Sequence, residues 1–121
     1  MKLYWTMPKG LKEHLLHELG LYKSAFVQRD LPQAWYHLER AHILAQAWTR
    51  EHSYVHWRML LFGFYIKSGR EIIGQIPRLL VGGVKSFVGR IPVGNTGGAN
   101  VPPLMQMEIP EDLAAILKVY Q

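Results

Sequence analysis

Arg29-Asp30-Leu31-Pro32 decides how this chain is built. Upstream, Leu11, Leu15, Leu19, Tyr22 and Phe26 recur every three to four residues, the spacing of one helix face, and the pattern stops at Arg29-Asp30. Asp30 is a strong N-cap residue, and Pro32 suits a first helical turn, where its missing N–H leaves no bond unmade. A stop is followed at once by a start. Two helices joined by so short a turn must lie antiparallel.

Downstream, Ala34, Leu38, Ala41, Ala45 and Trp48 form the buried stripe of a second helix. Thr49 is the expected cap of a third, which carries Val55, Met59, Gly63 and Ile66 and ends at Ser68-Gly69. A fourth helix is expected from Arg70 to about Val88, apolar on several faces and kinked at Pro77 and Gly82-Gly83. From Gly89 to Pro103 the density of glycine and proline excludes helix or regular strand. Met105, Met107 and Ile109 alternate as in an extended segment, and Pro110-Glu111-Asp112 opens a short last helix that docks through Leu113, Ile116 and Leu117. The expected fold is all-α, a single domain over residues 1–121. An antiparallel bundle of four main helices fills about 9–88, and a Gly-rich loop and short C-terminal helix fill about 89–121.

With 121 residues, 49% hydrophobic and 19% charged, the chain can form a core and is not a disordered sequence. It has no cysteine, which excludes disulfides, thiolate nucleophiles, cysteine zinc sites and iron–sulfur clusters. A net charge of +5 is spread without a compact cluster, so no nucleic-acid partner is expected. The segment Ile72 to Arg90 is apolar and basic, but packing against the bundle or a second subunit is preferred to a membrane surface. Met1 to Pro8 is not a signal peptide and no run of eighteen apolar residues occurs, so the expected location is the cytoplasm. Gly-x-Ser-x-Gly and His-Glu-x-x-His are both missing, which removes hydrolase readings.

The chemistry lies in the histidines. All six, at positions 14, 17, 37, 42, 52 and 56, fall in the first half of the chain. His14 and His17, Glu13 and His17, Glu39 and His42, and His52 and His56 are each spaced to share a helix face. Reflecting His17 about the first turn lands on His42, and reflecting His42 about a second turn near Thr49-Arg50 lands beside His56. Three antiparallel helices would then carry His17, His42 and His56 at one level. His42 lies ~40° from Leu38, the centre of its buried stripe, while Glu39 and His37 lie ~100° away on opposite flanks. The candidate ligands are therefore His17, His42 and His56, with Glu39, Glu13, His14 and His52 in reserve and His37 left out. Zinc, iron, nickel or copper would suit such a set. The plain alternative is a group of half-buried histidines hydrogen-bonded to backbone, Glu13 or Glu39. A di-iron bundle needs two Glu-x-x-His motifs, and only Glu39-x-x-His42 fits. The Gly94-Asn95-Thr96-Gly97-Gly98 loop lacks a P-loop ending. It reads as architecture rather than as an anion nest beside Arg90.

Ala34-Trp35-Tyr36-His37-Leu38-Glu39-Arg40-Ala41-His42-Ile43-Leu44, Val55-His56-Trp57-Arg58-Met59-Leu60 and Arg90-Ile91-Pro92-Val93-Gly94-Asn95-Thr96-Gly97-Gly98-Ala99-Asn100-Val101 together resemble one family. It is the bacterial domain-of-unknown-function family numbered 3703, and the likeness runs from about Leu11 to Leu117. The resemblance implies a small, mostly helical bacterial protein and supplies no ligands. Separately, Ala34, Leu38 and Ala41 after the Arg29-Asp30 turn have a spacing used by tetratricopeptide-like hairpins, with a weaker copy through Gly63, Gly69 and Gly74. Two functional classes stay open. One is a metal-binding protein for sensing, storage or handling. The other is a tetratricopeptide-like interaction module, with a protein partner or a second copy meeting Trp35, Tyr36 or Trp57. An enzyme using a metal-bound water comes third, and the leaning is against an enzyme.

Overall fold

The computed structural model describes residues 6–66, 75–76 and 107–120, and these form an all-α bundle. Helix α1 spans Lys9–Val27, α2 Leu31–Ala45, α3 Thr49–Tyr65 and α4 Glu111–Tyr120. The expected helix over 70–88 lies outside the described residues apart from Gln75 and Ile76, which are helical. The Ser68-Gly69 stop and the Gly-rich loop lie outside them altogether.

The turn at Arg29-Asp30 forms as its residues dictate. The Asp30 N–H donates to the Ala25 carbonyl (2.9 Å) and the Arg29 N–H to that of Phe26 (3.0 Å), with Arg29 left-handed at φ 60°. This pair of bonds closes α1 in a Schellman motif whose left-handed position usually holds glycine. One residue on, the Asp30 carboxylate accepts from the Gln33 N–H at 3.3 Å and caps α2, with proline in the first turn.

The second turn differs from expectation. Thr49 is the first residue of α3 rather than its cap, and Trp48 holds the cap position in an extended conformation without a side-chain cap bond. The reason is burial: Trp48 is 1% exposed, and seating its indole in the core fixes its backbone. The Trp48 N–H donates to Ala45 and its carbonyl accepts from His52, both at 2.8 Å, so the backbone bridges α2 to α3.

The core gathers Leu11, Leu15 and Tyr22 from α1, Ala34, Leu38 and Ala41 from α2, and Val55, Met59 and Phe62 from α3. Alanines at 34, 41 and 45, all fully buried, let the helices approach closely along α2. One end of the bundle is aromatic. Phe26 lies 4.6 Å from Tyr65 and 6.3 Å from Phe62 between ring centroids, and Trp35 lies 5.3 Å from Phe62. Helix α4 runs antiparallel to α1, burying Leu113 and Leu117, and its Tyr120 lies so close to Gly10 that a Cβ there would meet the phenol. Ile116, the third expected docking residue, is half-buried. The other end of the α2–α3 pair, next to the Trp48 turn, is polar.

Candidate metal centre

At that polar end α2 contributes His42, three residues before its last, and α3 contributes His52 and His56, one turn apart on one face. The three side chains are 2%, 5% and 2% exposed. Their Nε2 atoms converge. His42 lies 2.7 Å from His52 and 3.0 Å from His56, and His52 lies 3.1 Å from His56. The rings sit 4.5 to 4.6 Å apart between centroids and tilted, at 57° to 86°, so they meet edge to edge rather than stacking.

Protons alone cannot make all three edges of this triangle hydrogen bonds. Each Nε2 either carries a hydrogen or presents a lone pair, and a hydrogen bond needs one of each. Of three nitrogens, two must be alike, so at least one edge sets lone pair against lone pair or N–H against N–H. Like atoms face each other there and repel, although each Nε2 keeps a hydrogen-bonding neighbour along another edge. A cation taking all three lone pairs would relieve every edge together, and His42, His52 and His56 could hold one. Three imidazole nitrogens would fill three positions on such an ion, and zinc sites commonly take a fourth ligand. The site also has an outer contact: the His56 Nδ1–H donates to the Gln75 Oε1 at 2.6 Å, and Gln75 has no exposed surface. Among the described residues these three histidines are the only such group.

Sequence reasoning named all three histidines, but with His17 in the core set and His52 in reserve. His17 is exposed on α1 and is not in the group; the same holds for Glu13 and His14. Reflection about a turn fixes the level of a residue and not its direction. His17 points about 130° away from the mean of Leu11, Leu15, Glu18 and Tyr22, the buried face of α1. Glu39 is half-buried on α2 and is not one of the three converging residues. Gln75 was missed as a site residue. Its signal was a lone uncharged polar residue inside an apolar stretch.

His37, left out of the ligand set, belongs to a different cluster. Its Nδ1–H donates to Glu18 Oε2 at 2.7 Å, and the Arg40 Nε–H donates to Glu18 Oε1 at 2.9 Å. Arg40 reaches on to Asp112 of α4 through Nη1 at 3.3 Å and through Nη2. The Asp112 hydrogen bond, with help from Glu18, raises the Arg40 guanidinium pKa further, and the Arg40 hydrogen bond holds the Asp112 carboxyl below the usual range. A cleft of about 670 Å³ between α1 and α3 is lined by Lys12, Leu16, Lys23, Arg50, Tyr54 and Arg58, among others. None of the three histidines borders it.

No described helix is long and apolar enough to cross a membrane. A family model described as "Protein of unknown function (DUF3703)" matches residues 9–117. No curated protein and no solved structure matches the chain.

Proposed function

The chain belongs to the DUF3703 family, and we propose that this member holds one divalent transition-metal ion on His42, His52 and His56. The observation that carries the reading is the convergence of three buried Nε2 atoms within 3.1 Å, an arrangement that a cation completes and protons do not. Zinc, iron, nickel and copper all accept imidazole nitrogen. Three neutral ligands leave the charge of the ion unbalanced, so a further donor or a small anion belongs at its open side. Burial of all three ligands favours holding an ion, for sensing, storage or handling, over turnover of a bulky substrate. The protein acts as a small soluble bacterial protein of the cytoplasm.

Elemental analysis of protein purified without added histidines tests this. One first-row metal ion per chain, retained through dialysis, is the expected result. Protein that holds none, even after incubation with zinc, nickel, cobalt and copper, sinks the reading.

A second reading, a tetratricopeptide-like interaction module, draws on a different surface. Tyr54, Trp57, Leu61 and Phe64 follow one face of α3 and are 50%, 47%, 36% and 56% exposed. Tyr36 is exposed as well, whereas Trp35 packs on the core. Exposed aromatics in a stripe are the usual anchors of a protein contact, with a partner or with a second copy. Light scattering of the wild type and of Trp57→Ala separates pairing with a second copy from a monomer.

A further inference from the structure

We propose that Gln75 is the positioning residue of the histidine site, fixing the proton of His56 so that its Nε2 lone pair faces the ion. The inference rests on the metal reading above. A carbonyl oxygen only accepts, so the 2.6 Å contact from His56 Nδ1 to Gln75 Oε1 places the imidazole proton on Nδ1. In the neutral ring Nε2 then carries its lone pair, and that atom faces His42 at 3.0 Å and His52 at 3.1 Å. Gln75 is fully buried and His56 is 2% exposed, so no bulk water stands ready to replace this acceptor.

Gln75 comes from outside α2 and α3, nineteen residues beyond His56. It therefore adds a third segment to a site whose ligands all belong to one hairpin. The identity of the acceptor matters as much as its place. An outer carboxylate makes a ligating imidazole more basic and tightens the metal, whereas a neutral amide orients the ring with less transfer of charge. Gln75 thus sets the direction of His56 while keeping the ion more electron-poor and more readily released.

Competition with a chromophoric chelator gives the zinc affinity, and cobalt(II) absorption reports the ligand field. Gln75→Leu should weaken zinc binding 10–100-fold. Gln75→Glu should bind at least as tightly as the wild type and move the cobalt bands, at an unchanged stoichiometry of one ion. If Gln75→Leu does not fold by circular dichroism, the Gln75→Glu comparison alone decides. A Gln75→Leu variant that binds as tightly as the wild type, or a Gln75→Glu variant with unmoved cobalt bands and weaker binding, overturns the role of Gln75 alone. A wild type that takes up neither zinc nor cobalt overturns the metal reading and this one together.

Discussion

Two polar clusters flank α2, one part-buried and one buried, and they are built on opposite logic. Around Glu18, which is 6% exposed, the groups are unlike: one carboxylate accepts from His37 and Arg40, and Arg40 passes on to Asp112. Donors match acceptors and charge meets opposite charge, so this cluster closes on itself and ties α1, α2 and α4 together. Around His42 the groups are identical, with three Nε2 atoms turned toward one point. A cluster of unlike groups serves as a staple, while a cluster of like lone-pair donors could hold an ion.

The largest effect that would break this contrast lies at Glu18. Glu18→Ala leaves Arg40 and His37 with their donors turned into a partly buried space, and removing one partner of such a pair costs about 3 kcal/mol or more. Urea unfolding should show that loss, and the zinc affinity of the folded variant should stay as it was. If Glu18→Ala weakens zinc as much as it weakens folding, the two clusters are one network and the contrast fails.

Next in size is zinc itself. At 100 times its Kd the ion should stabilise the protein by about 2.7 kcal/mol. His42→Ala, His52→Ala and His56→Ala should each abolish that gain, measured as the difference with and without zinc for each variant. His17→Ala and His37→Ala should keep it. A gain that survives His52→Ala but not His17→Ala would return the site to the set first read from the sequence.

Much of this molecule is legible before folding, and what is not has physical reasons. Arg29, Asp30 and Pro32 act through their own backbones, so the α1–α2 turn can be read residue by residue. The start of α3 cannot, because Trp48 takes its conformation from the core that buries it, which overrides Thr49 as a cap. The site divides the same way. His52 and His56 share a face by spacing alone, and His42 joins them because the hairpin brings its level opposite theirs. His17 shares that level but points outward, because Leu11, Leu15, Glu18 and Tyr22 claim the inner face of α1. Gln75 reaches His56 from another segment, and no local pattern encodes that meeting.

The frame shared by both clusters offers a smaller test. Arg29 is the described non-glycine residue with positive φ, at 60°. Glycine there removes the cost of a Cβ in the left-handed region, so Arg29→Gly should stabilise by about 1 kcal/mol in urea unfolding. Both the Glu18→Ala loss and the zinc gain should persist unchanged in that background. A change in either would tie that cluster to the geometry of the turn.

The smallest effect separates the clusters by pH. The hydrogen bond from Arg40 lowers the Asp112 pKa in the folded protein, so the contact contributes fully above the ordinary carboxylate pKa and is lost as pH falls through the lowered value. The Asp112 side chain is 59% exposed, and solvent screening keeps its contribution under ~1 kcal/mol. Wild type and Asp112→Asn should therefore differ slightly in urea midpoint above the ordinary carboxylate pKa of about 3.9, and converge as pH falls through the lowered value of the folded protein. Metal binding answers to a different acid, because a protonated imidazole cannot ligate. The Asp112 gap and the zinc gain should thus fall along separate pH courses. A midpoint gap that widens as pH falls would show that Asp112 does not act through its charge, and the self-closing cluster would lose its outer arm.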